Sequence, residues 1–453
     1  MKNHKLFRLA AACAALIASS AALADSLVTN VVVRQRWPWS AKVDIDYLYT
    51  GTAVTSVVFR ATWRGQDEPV DLVPLAETGT FLGVTPGQHT FTWDPVAAGY
   101  GEASLKDFAV SVEPGADPRT YLIVDLVNGG YSFRAEPPAG GWSDDQKRNK
   151  MVFRRIPAGT YTLGAELADM RAVWGSLAAY YEAMLASGTP RREVTLTSDF
   201  YLAVFPITGR QSSAILGTND SNAMSPVYQH TDSRRIRGAQ LADGETAVDW
   251  PTTGYKVASD SYVGRMRAIS ARKGQPALLV DLPTEAQWEV AVRAGGDTIF
   301  ENGGTTNDTL AALQPILDKI AWVQATTGSS PWNYDVGLKA PTKWGIYDTH
   351  VRSELTLDWA NDHGLYGTGA APNLTGLAGG VDPIGAVSSA KGYRVTRGFG
   401  QQNASWGATS TSALGAAVRS TATIANGAAG ASVFNGCVRL AIHLKPLQGL
   451  ATE

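Results

Sequence analysis

The sequence predicts an α+β fold in which a small all-β sandwich precedes a larger, loop-rich domain. Short runs of β-branched and aromatic residues fill the first third of the chain, and turn signals separate them. The rest of the chain mixes strand-like runs, one strongly capped helix and long Gly-rich stretches. With 46 glycines and only 18 % charged residues, the composition favours such a fold over a helical bundle.

The first residues are typical of a bacterial secretory signal peptide. A basic stretch at residues 2–8 precedes an apolar run at residues 9–22, and Ala22 and Ala24 form a small-x-small cleavage signal. The apolar run is too short for a stable membrane anchor, and no later window is long and apolar enough to replace it. We therefore expect residues 1–24 to be removed and the mature protein to be secreted or periplasmic, with no membrane span.

Charge and cysteine content exclude several classes of function. The net charge is -2, from 39 basic and 41 acidic residues, so no bulk charge favours nucleic acid as a partner. Of the two cysteines, Cys13 lies in the predicted signal peptide, which leaves Cys437 alone in the mature chain. An intramolecular disulfide, a cysteine-based zinc site and an iron–sulfur cluster are therefore excluded.

The first predicted module, residues 25–136, has the alternation of an immunoglobulin-like sandwich. It shows no cluster of titratable groups, so we expect a spacer or interaction module, with most of its tryptophans (Trp37, Trp39, Trp63 and Trp93) in the core. The strand-like runs lie at residues 31–33, 43–47, 57–59, 91–93, 108–112 and 121–124.

A Pro- and Gly-rich linker at residues 137–150 leads into the second predicted domain, residues 151–446, and a tail follows at 447–453. The clearest helix start in this domain is Thr284, because Gln287 stands three residues later and completes a capping box. A further helix is predicted at residues 169–186, and a strand leading into a turn at residues 154–161. Strands are also predicted at residues 194–196, 200–202, 394–397 and 438–442.

Five sequence blocks in the second domain have the order and spacing of a known enzyme family. The most recognisable reads LPTEAQWEVA, at residues 282–291. The others lie at residues 156–164, 193–208, 344–348 and 393–398, and residues 438–440 stand where the family chain usually closes. Together, over about 290 residues, these blocks resemble the formylglycine-generating enzyme (sulfatase-modifying factor) family.

The resemblance implies a formylglycine-generating-enzyme-type fold, a variant of the C-type lectin fold with a large cleft. Working members of the family oxidise a sulfatase cysteine to formylglycine, using oxygen and copper held by two cysteines that follow the Arg-Gly block. Here residues 397–420 contain no cysteine. Soft thiolates select copper(I), and Cys437 cannot form a pair alone, so copper is not expected and Cys437 is only a weak catalytic candidate.

Candidates for a ligand cleft lie in the matched blocks and near them. In the family these blocks line the cleft, where aromatic rings can stack on sugars or peptide side chains. Core packing is the alternative use of each tryptophan. The candidate cleft residues are Trp344, Trp359, Arg397, Gln402, Asn403, Trp406 and Arg419.

The resemblance also implies oxygen ligands for calcium after the Tyr-Asp block. Asp348 and Glu354 match as side-chain oxygens, and Asp358 lies nearby. The usual family motif in this region is replaced by VRSEL at residues 351–355. Calcium needs six to eight oxygens, many from the backbone, so a calcium site and a set of solvated loop acids explain these residues equally well.

Two functions from different classes follow. The missing cysteine pair favours an exported, non-catalytic binding or scaffold protein that presents its lectin-like cleft and C-terminal loops to an extracytoplasmic protein or glycan. The alternative is an enzyme: an active formylglycine-generating-type oxidase acting on a sulfatase cysteine, or an uncharacterised chemistry on the same fold.

Overall fold

The chain forms two compact units, Met1–Gly141 with Ala268–Ala277, and Trp142–Arg267 with Leu278–Glu453. No sequence pattern indicated that residues 268–277 belong with the first unit. The computed structural model describes residues 27–65, 69–75, 81–98, 100, 105–174, 189–219, 221–226, 259, 262–298, 319, 334–349, 354–360, 379–384, 393–398, 420–423 and 437–446. The predicted signal peptide lies outside these residues. None of the described helices has the length and apolar character needed to cross a membrane.

Six of the eight described strands of the first unit overlap the period-two runs of the sequence, and the other two, residues 70–71 and 131–134, were not predicted. The eight strands are β1 (Val28–Gln35), β2 (Val43–Tyr49), β3 (Ser56–Thr62), β4 (Val70–Asp71), β5 (Gly87–Trp93), β6 (Ala109–Gly115), β7 (Tyr121–Asp125) and β8 (Tyr131–Arg134). Antiparallel pairing gives one sheet in the order β1-β2-β5, another in the order β4-β3-β6, and a β7–β8 hairpin.

Aromatic side chains fill the space between the two three-stranded sheets. Phe59 of β3 stacks on Phe91 of β5 with ring centroids 4.3 Å apart, and Tyr47 of β2 meets Phe59 edge-on at 5.5 Å. All three side chains are buried, because alternate residues of each strand face the opposing sheet. This packing confirms the small all-β sandwich predicted from the alternation.

The tryptophans of this unit divide between core and surface. Trp93 is buried as predicted, and Trp63 is half-buried with its ring stacked on Phe108. The prediction is wrong for Trp37 and Trp39, which are exposed. Both lie in the turn between β1 and β2, beyond the strand ends, where no opposing strand can cover them.

The second unit mixes helices and sheets, which confirms the predicted α+β, loop-rich class. Its helices are α1 (Asp144–Arg148), α2 (Leu167–Trp174), α3 (Gly209–Leu216), α4 (Tyr262–Ser270), whose residues 268–270 belong to the first unit, and α5 (Glu285–Arg293). A 3-10 helix, Arg272–Gly274, follows α4 and belongs to the first unit. The strands of the second unit are β9 (Lys150–Ile156), β10 (Gly159–Leu163), β11 (Arg192–Leu196), β12 (Phe200–Ala203), β13 (Leu279–Asp281), β14 (Glu354–Ala360), β15 (Gly380–Val381), β16 (Tyr393–Arg397), β17 (Ser420–Thr423) and β18 (Ala441–His443).

Three sheets position the candidate site of the second unit. Four strands follow the order β13-β18-β12-β9, and two smaller sheets have the orders β10-β11-β15 and β14-β16-β17. The predicted strand at 438–442 starts later, at Ala441, although Leu440 and Val438 still accept backbone hydrogen bonds from Ala203 and Ile207. The helix predicted at 169–186 begins as α2, and residues 175–188 lie outside the described part.

Helix α5 begins as its capping box predicts. The Thr284 hydroxyl accepts from the Gln287 backbone N–H at 3.1 Å, and the Gln287 side chain accepts from the Thr284 N–H at 2.9 Å. Every residue from Glu285 to Arg293 is buried, although the helix carries two glutamates and an arginine. Buried charges need partners, so the location of those partners decides what this helix does.

Candidate functional site

Helix α5 presents three charged residues on one face. Glu285, Glu289 and Arg293 follow each other at intervals of four residues, which places them one above the other. Arg397, at the end of β16, meets this face. Its Nε donates to Glu285 Oε1 and its Nη2 to Glu289 Oε2, both at 2.8 Å. We call Glu285, Glu289, Arg293 and Arg397 the Arg397 cluster.

The Arg397 cluster also binds the end of β10. Glu289 Oε1 accepts from the Gly164 N–H at 2.8 Å and lies 2.9 Å from Arg293 Nη2, which donates to the Gly164 carbonyl at 2.8 Å. Burial acts to lower the pKa of Arg397, but Glu285 and Glu289 together outweigh it, so that this pKa is raised. Burial lowers the pKa of Arg293, and Glu289 offsets the effect only in part. The two glutamates therefore keep Arg397 charged inside the core.

A second buried group, the Arg439 cluster, consists of Trp288, Glu354 and Arg439. Arg439 Nη2 donates to Glu354 Oε1 at 2.7 Å, and its Nε donates to Oε2 at 2.8 Å. The indole N–H of Trp288 donates to Glu354 Oε2 at 2.6 Å. Paired contacts of this kind fix both the distance and the orientation of a guanidinium and a carboxylate.

The Arg439 cluster extends to the backbone of two other segments. Arg439 Nη1 donates to the carbonyls of Ala203 and Val204 at 2.9 and 3.0 Å, and Nη2 donates to the Tyr347 carbonyl at 2.9 Å. The arginine therefore ties the chain end to β12, to β14 and, through Trp288, to α5. Both clusters join segments that are more than 80 residues apart in the sequence. Arg439 and Glu354, for example, are 85 residues apart.

Cys437 lies in the same region as the Arg439 cluster. It is a fully buried thiol, and its backbone forms an isolated parallel bridge with Glu354. The Cys437 thiol is therefore shielded from solvent.

The predicted cleft residues have different surroundings. Arg397 is buried in its cluster, as described. Trp344 is half-buried, packs edge-on against Tyr161 at 6.2 Å, and accepts a hydrogen bond on its carbonyl from Arg154 at 3.0 Å. Trp359 lies in β14 opposite Arg394. Gln402, Asn403, Trp406 and Arg419 lie outside the described residues, so the proposed cleft stays a prediction.

The three acidic residues expected near calcium differ in their contacts. Both oxygens of Glu354 bind Arg439 or Trp288, so its environment suits a guanidinium rather than a divalent cation. Asp348 Oδ2 accepts from the Gly337 N–H at 2.8 Å, and Asp358 lies in β14. Within the described ranges, no group of three or more His, Cys, Asp or Glu side chains could hold a metal ion. Calcium binding stays a prediction.

A pocket of about 230 Å³ lies where β11, β12 and β18 end. One wall contains Asp382, which accepts hydrogen bonds from both the backbone and the hydroxyl of Thr197. The floor contains Gln287 and His443, whose Nδ1 lies 3.3 Å from the Gln287 amide. Burial lowers the pKa of His443 to about 4, so the imidazole is neutral at physiological pH. These polar groups satisfy one another, which favours a structural role for the pocket walls.

Sequence reasoning missed the residues that organise this unit, namely Glu285, Glu289, Arg293 and Arg439. One signal was present: charges at intervals of four in a helix that also carries Trp288 and Val292. Their partners could not be read from the sequence, because Arg397 lies 112 residues from Glu285.

Comparison with known proteins places the second unit in a family. A family model described as a sulfatase-modifying factor enzyme 1-like domain matches residues 142–425. No curated protein and no solved structure matches the chain. The matched region covers more than half of the 453 residues. It contains the whole Arg397 cluster and, of the Arg439 cluster, Trp288 and Glu354. The chain therefore belongs to the sulfatase-modifying factor enzyme 1-like domain family.

Proposed function

We propose that this chain is an exported, non-catalytic member of its family, which binds a protein or glycan through the cleft and C-terminal loops of its second unit. The main support for this proposal is that Cys437, the only cysteine beyond the predicted signal peptide, is completely buried. Oxidation of the family type needs two thiolates that can bind copper(I) and reach a substrate cysteine. A single enclosed thiol offers neither.

The two ion clusters also support a scaffold role. Residues from the matched blocks, such as Glu285, Glu289 and Arg397, hold α5, β10 and β16 together through buried ion pairs. These contacts fix the three core elements relative to one another, as a scaffold for binding loops requires. They involve no nucleophile and no thiol.

A conversion assay tests the absence of catalysis. The mature protein would be incubated with copper, oxygen, a reductant and a peptide containing Cys-x-Pro-x-Arg, with mass spectrometry for formylglycine and an active family enzyme as control. We expect no conversion. Conversion that disappears in Cys437→Ala would overturn the proposal and favour the oxidase alternative.

A binding screen tests the positive part of the proposal. The full mature chain would be applied to glycan arrays and to secreted proteins of its source. A ligand bound by the cleft should lose about tenfold in affinity on Trp406→Ala, because an aromatic contact contributes about 1–3 kcal/mol. The control, Val54→Ala, changes an exposed apolar residue of the first unit and should leave this binding unchanged. Binding that is insensitive to Trp406 and the other predicted cleft residues would contradict the assignment of the cleft.

A further inference from the structure

The turn between β1 and β2 holds a tryptophan almost entirely in solvent. The Trp39 side chain is 91 % exposed, more than any other large apolar residue in the described part of the first unit, and Trp37 beside it is 39 % exposed. Transfer of an indole from water to an apolar contact is favourable by a few kcal/mol, so an isolated exposed indole marks a surface that gains from a partner.

Hydrogen bonds hold this turn in one conformation. The Arg36 N–H donates to the Lys42 carbonyl at 2.9 Å, and the N–H groups of Trp39 and Ser40 donate to the Arg36 carbonyl at 3.0 and 3.2 Å. The Ser40 hydroxyl accepts from the Lys42 N–H at 3.0 Å. The exposure of Trp39 is therefore built into an ordered backbone, and a ligand would not have to order the loop first.

Two polar rungs continue from the turn across the outer face of the β1-β2-β5 sheet. In the first, Asp46 accepts from Arg34 Nε and from the Thr90 hydroxyl, both at 2.7 Å. In the second, Asp44 accepts from Arg36 Nε and the Thr92 hydroxyl, both at 2.8 Å. We call this surface the Trp39 face, and it comprises Arg34, Arg36, Trp37, Trp39, Asp44, Asp46, Thr90 and Thr92.

The chemistry of the Trp39 face selects among classes of partner. Its two arginines balance its two aspartates, so the surface has no net charge to attract nucleic acid or anionic lipid. Trp37 and Trp39 expose on the order of 300 Å² of apolar surface. A stable protein interface buries roughly 800 Å² on each partner, so the surface that these two tryptophans expose is too small to form one.

Pairing of another strand along the free edge of β1 is also disfavoured. The register of β1 shifts between Thr29 and Val32, and Asn30 has a positive φ of 54°. An irregular edge strand cannot continue a regular ladder of hydrogen bonds. A neutral sugar chain fits the remaining features, because its rings offer apolar C–H faces to an indole and hydroxyls to carboxylate, guanidinium and hydroxyl groups.

We propose that the Trp39 face binds a neutral polysaccharide, with one sugar ring stacked on the Trp39 indole and hydroxyls of the chain bonded along the Arg–Asp–Thr rungs. The Trp39 face belongs to the first unit, so this proposal does not rest on the function proposed for the cleft of the second unit.

The test uses the full mature chain and pull-down on insoluble cellulose, chitin and starch, with affinity electrophoresis in soluble β-glucan and dextran. We expect retention by at least one of these, and about tenfold weaker binding for Trp39→Ala, the size of one lost aromatic stack. Trp39→Tyr should keep part of the affinity. Thr90→Ala should weaken binding by a smaller factor.

Two control variants make the result specific. Val54→Ala and Val127→Ala each remove another exposed apolar side chain of the first unit; both should bind like wild type. Because Trp39 is exposed, its variants should unfold at the wild-type temperature. The proposal is overturned by a lack of binding to all five polysaccharides, by binding that Trp39→Ala does not weaken, or by Trp39-dependent binding only to vesicles of phosphatidylcholine and phosphatidylglycerol.

Discussion

The two units keep their folds by different means. The first unit packs Tyr47, Phe59 and Phe91 between two sheets, and its Arg34–Asp46 and Arg36–Asp44 pairs lie on the outer face of one of them. The second unit places arginines and glutamates in its interior and joins distant segments through Arg397 and Arg439. Apolar packing tolerates substitution by similar shapes, whereas a buried ion pair depends on both partners. The units should therefore fail in different ways.

The largest effect is expected from Arg439→Met. This change leaves Glu354 buried without its guanidinium, which should lower the free energy of unfolding of the second unit by about 3–5 kcal/mol. Urea denaturation followed by hydrogen exchange in α5 measures it. The double variant Glu354→Leu/Arg439→Met removes both charges and should recover much of the loss. Equal destabilisation in the single and double variants would contradict the ion-pair account.

The comparable change in the first unit is Phe59→Ala. It leaves a cavity between Tyr47 and Phe91 and should cost about 3–5 kcal/mol in the unfolding of this unit. Phe59→Leu keeps most of the volume and should cost less than half as much. Unfolding at low and high salt checks this mechanism, because the loss of apolar packing involves no charge that salt could screen. A Phe59→Ala effect that varies strongly with salt would be inconsistent with apolar packing.

Acid should change the free energy of unfolding of the two units in opposite directions, by about 2–3 kcal/mol. Burial raises the pKa of Asp71 to about 7, against smaller opposing effects of Arg60 and Arg134, so its contribution is fully present below pH 3.8 and is lost as pH rises through 7. Burial lowers the pKa of His443 to about 4, so its contribution is present above pH 6.5 and is lost as pH falls through 4.

Hydrogen exchange between pH 4 and 7 can follow both units in one sample. Acidification should stabilise strands β3 and β4 relative to α5 and β18. Asp71→Asn should remove the trend in the first unit, and His443→Gln should reduce it in the second. Parallel pH trends in both units, unaffected by these variants, would show that other groups control the response.

The smallest effect is expected from Thr284→Ala, which removes the side-chain cap of α5. Loss of an N-cap costs about 1 kcal/mol. Thr284→Ser keeps the hydroxyl and serves as the matched control. A loss near that of Arg439→Met would mean that the cap, rather than the ion clusters, carries the stability of this helix.

Local patterns were sufficient for much of the secondary structure. Period-two alternation located β2, β3 and β5, and Thr284 with Gln287 located the start of α5, because neighbouring residues decide both features. The absence of any cysteine from residues 397–420 is also a property of the sequence alone. None of these required knowledge of distant contacts.

Only the tertiary structure decided the surroundings of individual polar residues. Arg397 and Glu354 were a predicted cleft residue and a predicted calcium ligand, and both are buried ion-pair partners of residues more than 80 positions away. Trp39 has the same residue type as buried Trp93, but its place in a turn leaves it exposed. Burial and charge pairing depend on which segments meet in space, and no local periodicity encodes that.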